Sequence, residues 1–381
     1  MSSCSRFLSQ PNDLSSWVKE KMDWSEIHER RKLGPISLPL ALLSVFYGLG
    51  VKWRVKAFER RRRQRLPGFV LSIGNITAGG TGKTPATMMI AKWAADQGFR
   101  VTVLSRGYGG RYDQEVLEVS DGEKIKARVS EAGDEPVLMA AHLPGVPIVL
   151  SRKRYLAGLH AVRRFNSSFF LLDDGFQHIG LERDLDLVLL DAKSPFGNCR
   201  LLPWGPLREP VEHLGRADIF LMTRWEGEPG EKDWADFIRR RFSGKPLFKS
   251  VHVADRVVLQ KERHSTLFLR GKRVLAFAGI ARPMAFRKTL LDAGADLVDF
   301  RVFRDHHRFT ETEIRDLASA KTASLADLLI TTEKDWVRLE RLRTVCPDLA
   351  FLTVTMRVLF DEETFFDQLK AACRERRAFH P

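Results

Sequence analysis

The fold of this chain is decided by the stretch Phe69-Val-Leu-Ser-Ile73 and the run Gly74-Asn-Ile-Thr-Ala-Gly-Gly-Thr-Gly82-Lys83-Thr84 that follows it. The first five residues form an apolar run of strand length. Residues 85–97 then carry apolar side chains at helical spacing, with Pro85 in the first turn, where proline is tolerated. Residues 100–104 have the pattern of the next strand. The sequence therefore predicts a β-α-β unit with a glycine loop between strand and helix.

The loop residues Gly79-Gly80-Thr81-Gly82-Lys83-Thr84 are typical of a phosphate-binding loop. Backbone N–H groups and the helix N-terminus would face a phosphate chain, Lys83 would lie at the β- and γ-phosphates, and the Thr84 hydroxyl would bind Mg²⁺. The consensus G-x-x-x-x-G-K-[ST] would place its first glycine at Thr77. A strict pattern search therefore fails, but Gly79 and Gly80 keep the loop glycine-rich. A flexible loop that arose by chance is the weaker alternative.

Three further fragments carry charged groups, and each is less specific. Phe169-Phe-Leu-Leu-Asp173-Asp174 is an apolar strand ending in two carboxylates, which would lie beside the loop in a parallel sheet and could hold a metal, or could form a solvated turn. Gly133-Asp134-Glu135-Pro136 could equally be the acidic first turn of a helix. Asp305-His306-His307 could be a metal pair, a catalytic base system or a solvated loop.

The rest of the chain continues to alternate strand-like and helix-like segments, which predicts an α/β fold with a largely parallel sheet covered on both faces. A second β-α series begins near Lys272, after a polar stretch at 226–263 that suggests a domain boundary. We expect two α/β domains, the first of which carries the glycine loop. The expected division is a polar extension at 1–32, a membrane-associated and polybasic segment at 33–66, and domains at 67–245 and 246–381.

Composition limits the class of protein. The 381 residues are 44% hydrophobic, with 62 Lys and Arg against 48 Asp and Glu. These values are typical of a globular protein rather than a disordered or polytopic membrane protein. Four cysteines lie far apart without a C-x-x-C pair, which indicates reduced thiols and no disulfide framework.

The N-terminal region combines an apolar run with a basic block. Residues 33–51 contain no charge, and residues 52–65 contain eight basic side chains and one acidic. The two signals together favour membrane association, with the basic block on the cytoplasmic side, although a buried core helix would also fit the apolar run. A signal peptide is disfavoured because the main basic block follows the apolar run and no A-x-A cleavage site is present. Whether the run spans the bilayer or enters one leaflet stays open.

Taken together, the fragments resemble one family. From about Leu38 to near the C-terminus the chain is similar to the tetraacyldisaccharide 4′-kinases of lipid A biosynthesis, on the ordered fragments GNITAGGTGKTP (74–85), SRGYGG (105–110), GDEPVL (133–138), LDDGFQH (172–178), LLPWGPLREP (201–210), AFAGIARP (276–283), DHH (305–307) and TTEKD (331–335). The resemblance implies a P-loop NTPase-like domain and a smaller second α/β domain after a short apolar N-terminal segment. It also implies a kinase that uses ATP and Mg²⁺ at the cytoplasmic face of the inner membrane. Its implied reaction phosphorylates the 4′-hydroxyl of a tetraacyldisaccharide 1-phosphate and gives lipid IVA.

The resemblance also implies roles for individual residues. Lys83 and Thr84 would act on phosphate and Mg²⁺ within the loop formed by Gly79, Gly80, Thr81 and Gly82. Asp134 would be the base for the sugar hydroxyl and His306 its partner across the domain cleft, with His307 the weaker candidate. The other implied residues would hold or orient the metal (Glu135, Asp173, Asp174) or line the site (Tyr108, Gln177, Arg208).

Two other classes of function fit the sequence less well than the kinase. A P-loop GTPase or ATPase that drives metal insertion or ligation would need a base-reading motif such as N-K-x-D, and the chain has Arg224-Trp225 after the strand-like run 219–223. A non-enzymatic membrane- or nucleic-acid-binding protein would leave the loop and the paired carboxylates unexplained. The predicted partners are the acylated disaccharide and an anionic membrane surface, with no nucleic acid and no obligate protein partner.

Overall fold

The computed structural model describes residues 37–59 and 63–379 of the chain. The predicted polar extension at 1–32, the start of the apolar run at 33–36 and the arginines at 60–62 lie outside the described residues. Within the described ranges thirteen strands form one continuous sheet.

The strands are defined by their first and last residues. They are β1 (Phe69–Gly74), β2 (Val101–Ser105), β3 (Leu117–Ser120), β4 (Ile148–Leu150), β5 (Phe169–Asp173), β6 (Leu185–Asp191), β7 (Ile219–Thr223), β8 (Leu247–Leu259), β9 (Glu262–Ser265), β10 (Arg273–Ala278), β11 (Asp296–Val302), β12 (Leu328–Thr332) and β13 (Leu349–Leu359). Their order in the sheet is β11-β10-β12-β13-β8-β7-β6-β1-β5-β2-β4-β3, with β9 paired to β8. We call β1 to β7 the N-terminal sheet half and β8 to β13 the C-terminal sheet half.

Ten α-helices accompany these strands in the described part of the chain. They are α1 (Ser37–Glu59), α2 (Lys83–Asp96), α3 (Val129–Ala132), α4 (Asp134–His142), α5 (Arg154–Phe165), α6 (Pro229–Arg241), α7 (Pro283–Asp292), α8 (Glu311–Ala323), α9 (Glu333–Leu339) and α10 (Glu362–Phe379).

The centre of the N-terminal sheet half is parallel and buried. Every residue of β1, β5 and β6 is buried, which explains why these strands are nearly continuous apolar runs rather than alternating ones. The register pairs Phe69 with Phe169 and Ile73 with Asp173, so β1 and β5 end at the same edge. The predicted α/β class and the strand, glycine loop and helix in succession are confirmed. The phosphate loop and the two carboxylates therefore come from adjacent strand ends.

The two sheet halves join through long strands rather than through a linker. The polar stretch at 226–263 contains α6, β8 and the start of β9. Strand β8 pairs in parallel with β7 and antiparallel with β13. Three of the thirteen residues of β8 are buried, Phe248, Ser250 and Val257, so the strand has no continuous apolar run to reveal it in the sequence. The division into domains at 67–245 and 246–381 stays a prediction.

The predicted N-terminal apolar helix is present as α1, and it extends through Lys52 and Lys56 to Glu59. The segment Leu38–Phe58 is long and apolar enough to cross a membrane by length and composition. One face packs on the protein through residues one turn apart, namely Ser44, Gly48, Val51 and Val55. The other face exposes large apolar side chains, namely Leu42, Leu43, Val45, Phe46, Leu49 and Trp53.

Candidate active site

The phosphate loop joins β1 to α2. Its last glycine, Gly82, has φ 86° and is the N-cap of α2, which begins at Lys83, two residues before the predicted start. No side chain caps this helix, so the N–H groups of its first turn are available to an anion. A Cβ at Gly82 would also lie 2.9 Å from the imidazole of His252, so both conformation and space require glycine.

An unpartnered hydroxyl in the loop fits a phosphate ligand. The buried Thr81 Oγ1 has no hydrogen-bond partner among the described residues. Buried polar groups in native proteins are normally satisfied, and a bound phosphate oxygen would satisfy this one. Side chains at the end of β7 hold the backbone of the loop, since Thr223 Oγ1 donates to the Thr81 carbonyl at 3.0 Å and the guanidinium of the next residue, Arg224, donates to the Gly80 carbonyl.

Lys83 lies in a polar cluster at the end of β1. Its Nζ donates to Asn75 Oδ1 at 3.2 Å and lies 3.5 Å from Asp174 Oδ1. Arg208 Nη1 donates to both carboxylate oxygens of Asp174, each at 2.9 Å. Gln177 Nε2 donates to the Asn75 carbonyl at 2.9 Å. The structure thus brings together four of the residues singled out in the sequence, Lys83, Asp174, Gln177 and Arg208.

The two adjacent carboxylates have different environments. Asp173 is buried and accepts hydrogen bonds from Ser105 Oγ at 2.9 Å and Thr87 Oγ1 at 3.4 Å. Burial, followed by the charges of Glu135 and Asp174, raises the pKa of Asp173 to about 6. Burial would also raise the pKa of Asp174, but the charges of Lys83 and Arg208 outweigh it and lower that pKa. Asp174 is therefore the firmly ionised member of the pair.

Asp134 is the first residue of α4 and is buried. Its Oδ2 lies 2.6 Å from Arg338 Nη2, 3.2 Å from His306 Nδ1 and 4.0 Å from Lys334 Nζ. Burial alone would raise the pKa of Asp134, but the hydrogen bond from His306 and the charges of Lys334 and Arg338 hold it below its usual value. The structure therefore places an ionised carboxylate against an imidazole from the C-terminal sheet half.

His306 and His307 have different surroundings. His306 has φ 58° and lies beside Asp134, and its ring centroid is 6.4 Å from that of Tyr108. The Tyr108 side chain is 78% exposed. His307 Nε2 instead lies 3.0 Å from Glu313 Oε1, and its ring packs against Phe303 and Phe309. Only the first histidine of the Asp-His-His fragment contacts Asp134.

The residues expected at a metal fit a Mg²⁺ ion that is held mainly by nucleotide phosphates. Among the described residues no group of three or more His, Cys, Asp or Glu side chains forms a ready metal site. Thr84 is buried in the first turn of α2, and Glu135 lies 3.0 Å from Lys334. Mg²⁺ usually keeps several waters and takes only one or two protein carboxylates beside substrate phosphates. Oxygen donors of the right type therefore surround the loop without forming a closed cage.

Several residues of the site were missed by sequence reasoning. Asn75, Ser105 and Lys334 lie inside quoted fragments, but nothing in the sequence alone assigned them a contact. Arg338 carries no motif signal of its own. Its bond to Asp134 spans 204 residues, so no local pattern could have revealed it.

The fold and the site together define a P-loop nucleotide-dependent phosphotransferase, with a phosphate loop on one side and a carboxylate–imidazole pair on the other. The sequence matches the family described as LpxK, Tetraacyldisaccharide-1-P 4'-kinase, over residues 36–374. The chain belongs to this family.

Named relatives agree with the family match. A tetraacyldisaccharide 4'-kinase of Syntrophus aciditrophicus is 40% identical over 88% of this chain and 93% of its own length. One from Geobacter metallireducens is 42% identical over 79% and 88%. Among solved structures, LpxK from Aquifex aeolicus in complex with ATP superimposes with a TM-score of 0.72 at 32% identity, and the match covers 89% of this chain and 99% of that one.

Proposed function

We propose that this chain transfers the γ-phosphoryl group of ATP to the 4′-hydroxyl of a tetraacyldisaccharide 1-phosphate, which gives lipid IVA. Membership of the family over most of the chain supports the reaction. The observation that carries the proposal is the Asp134–His306 pair beside a phosphate loop, because an attacking hydroxyl needs a proton acceptor close to the γ-phosphate.

The phosphate side of the site provides charge and position. Lys83 would leave Asp174 and contact the β- and γ-phosphates. Arg208 would stabilise the negative charge that develops on the transferred group. Thr84, Glu135, Asp173 and Asp174 would hold the magnesium. When bound, Mg²⁺ would neutralise negative charge on the nucleotide phosphates. The loop from Gly79 to Gly82 and the Gln177 side chain would keep the phosphate chain in place.

The acceptor side holds the sugar hydroxyl and takes its proton. Asp134 would accept this proton, and His306 would orient the carboxylate and line the approach together with Tyr108. An ionised carboxylate is a weak base for an alcohol. Phosphoryl transfer nevertheless passes through a loose transition state, so position and charge matter more than basicity.

The pair also links two parts of the chain. Asp134 belongs to the N-terminal sheet half, whereas His306 follows β11 of the C-terminal sheet half. We propose that residues 67–245 and 246–381 act as two domains, and that placing base and partner on different domains couples closure on substrate to the chemical step.

The acylated substrate places the enzyme at a membrane, and we propose the cytoplasmic face of the inner membrane. Helix α1 is docked along one face, where Ser44 Oγ donates to the Leu201 carbonyl at 2.8 Å and Tyr47 Oη donates to the Arg208 carbonyl at 3.0 Å. Its opposite face is apolar and open, with Phe46 63% exposed. A helix attached along one side and apolar on the other favours a position within the interface, and the basic block at 52–65 favours an anionic surface.

Vesicle binding tests this placement. A Leu42→Asp, Phe46→Asp double variant should bind vesicles of phosphatidylethanolamine and phosphatidylglycerol at least about tenfold more weakly, because two charges would enter the apolar interface. Leu267→Asp with Leu325→Asp is the matched control, since both leucines are more than 70% exposed elsewhere on the protein. Equal loss in both double variants, or no loss in the first, would contradict the assignment of α1 to the membrane.

The reaction is tested by transfer of label. The full chain is incubated in mixed micelles with γ-labelled ATP, Mg²⁺ and tetraacyldisaccharide 1-phosphate, and the lipid is separated and counted. We expect label in the lipid, with equal amounts of ADP and phosphorylated lipid. Steady release of inorganic phosphate without labelled lipid would support the ATPase alternative instead.

A further inference from the structure

Arg338 lies directly behind the Asp134–His306 pair and belongs to none of the quoted motifs. We infer that Arg338 is a positioning residue for phosphoryl transfer, which fixes the carboxylate of Asp134 and its alignment with His306. The inference rests on the proposed function, and it adds a residue on α9 to the acceptor side of the site.

The Arg338 guanidinium is buried, and each of its three nitrogens contacts a neighbouring oxygen. It is 7% exposed, and its Nε and Nη2 lie 2.8 Å and 2.6 Å from Asp134 Oδ2. Its Nη1 donates in the opposite direction, to the Gly279 carbonyl at 2.6 Å and to Asp335 Oδ1 at 2.7 Å. The rigid planar fork therefore spans the gap between Asp134 and the end of β10.

Arg338 is itself held by a buried frame. Asp335 is fully buried, and its Oδ2 accepts a hydrogen bond from the Gly279 N–H at 2.9 Å and from Thr332 Oγ1 at 2.7 Å. Gly279 follows β10, and Thr332 ends β12. The position of the guanidinium is thus set by two adjacent strands of the C-terminal sheet half. The guanidinium in turn fixes the carboxylate of Asp134, which belongs to the N-terminal part of the chain.

Both oxygens of Asp134 are oriented by this arrangement. Oδ1 accepts the Glu135 N–H at 3.0 Å, while Oδ2 faces Arg338 and His306. His306 Nδ1 lies 3.2 Å from Asp134 Oδ2 and 3.2 Å from Arg338 Nη2. Arginine has only donors, so this nitrogen either donates to Asp134 or accepts from Arg338. Arg338 therefore determines how the imidazole meets the carboxylate as well as where the carboxylate lies.

Charge alone does not explain the contact between Arg338 and Asp134. Lys334 Nζ lies 4.0 Å from Asp134 Oδ2 and 3.0 Å from Glu135 Oε1, so a positive charge would stay beside the carboxylate without Arg338. A cation close to a base also lowers its affinity for a proton, which does not help it to accept one. What Arg338 adds is a fixed geometry, and a displacement of about 1 Å in a reacting group can cost roughly a hundredfold in rate.

The kinetic test uses the full chain in the lipid-labelling assay. We expect Arg338→Ala to lower kcat by about 10- to 100-fold with KM for ATP changed less than about twofold, because the phosphate loop is untouched. Arg338→Lys should recover only part of kcat, since lysine lacks the planar fork. Arg343→Ala is the matched control, because among the described residues Arg343 donates to the carbonyls of Trp336 and Val337 and stacks on the Trp336 ring, away from Asp134. It should retain wild-type kcat.

A double-variant cycle distinguishes positioning from general destabilisation. If Arg338 acts through the pair, Arg338→Ala combined with His306→Ala should lose little more than the worse single variant. Losses that multiply, a wild-type kcat in Arg338→Ala, or an equal loss in Arg343→Ala would overturn the inference. If thermal melting shows that Arg338→Ala folds poorly, the same double-variant cycle is measured with Arg338→Lys and His306→Ala.

A readout that does not depend on the lipid separates this inference from the proposed function. The ring nitrogen resonances of His306, assigned by their loss in His306→Ala, should shift in Arg338→Ala and stay unchanged in Arg343→Ala. A wild-type protein that labels no lipid would contradict the proposed substrate. Unchanged His306 resonances in Arg338→Ala would contradict the positioning role, whatever the substrate.

Discussion

The two sides of the active site are built in different ways. The phosphate side comes from neighbouring parallel strands, because Ile73 of β1 pairs with Asp173 of β5 and the glycine loop follows at once. The acceptor side joins the first turn of α4, the loop after β11 and helix α9, which are distant in sequence. The first is formed within the N-terminal sheet half, whereas the second exists only when both sheet halves are in place. The phosphate side should therefore keep its structure when residues of the acceptor side are substituted.

The largest effect should come from the phosphate side. Lys83→Ala should lower kcat about 10²- to 10³-fold, because a cation at the transferred phosphate acts mainly in the transition state. Lys92→Ala, an exposed lysine on the same helix, should leave kcat unchanged. Steady-state kinetics with lipid and ATP check both. A Lys83→Ala enzyme with near wild-type kcat would mean that the loop does not hold the reacting phosphate.

A smaller effect should distinguish the two adjacent histidines. His306→Ala should lower kcat about 10- to 100-fold, since Asp134 loses the partner that aligns it. His307→Ala should keep kcat but unfold at a lower temperature, because His307 bonds Glu313 and packs between Phe303 and Phe309. Kinetics and thermal melting measure the two outcomes. The opposite pattern would show that the wrong histidine has been placed in the site.

The smallest effect concerns stability beneath the phosphate loop. Burial, followed by the charge of Arg224, lowers the pKa of His252 to about 4 despite Asp191. An unfolded histidine titrates near 6.5, so the unfolded chain binds more protons between pH 6.5 and 4, and the free energy of unfolding falls as pH is lowered through that window. In His252→Gln the decrease in the free energy of unfolding across this pH window should be smaller by on the order of 2 kcal/mol.

Denaturant unfolding at several pH values measures the His252 effect. His178 has a similarly lowered pKa of about 4. The free energy of unfolding of the His252→Gln variant should therefore still fall with decreasing pH, but less steeply than that of the wild type. A slope identical to that of the wild type would contradict the buried, neutral state of His252.

Much of the N-terminal sheet half could be predicted from sequence, because its central strands are buried on both faces and are continuous apolar runs. The predicted strand at 219–223 coincides with β7, for example. Strand β8 could not be predicted, since its mixed burial leaves no clear pattern and its partner β13 lies about a hundred residues later. In the site, the glycine loop and the paired carboxylates were visible as local motifs. Arg338 was not, because its role depends on a contact across the whole fold.

The most direct test of the account is a comparison of binding and chemistry in Asp134→Asn. The substitution keeps the shape of the side chain and removes its negative charge, so nucleotide binding should stay within about twofold of wild type, while the rate of label transfer to lipid in a single turnover should fall about 10²- to 10⁴-fold. This result would show that the buried carboxylate acts in the chemical step. A wild-type rate of transfer in Asp134→Asn would contradict the central claim that this carboxylate accepts the proton of the sugar hydroxyl.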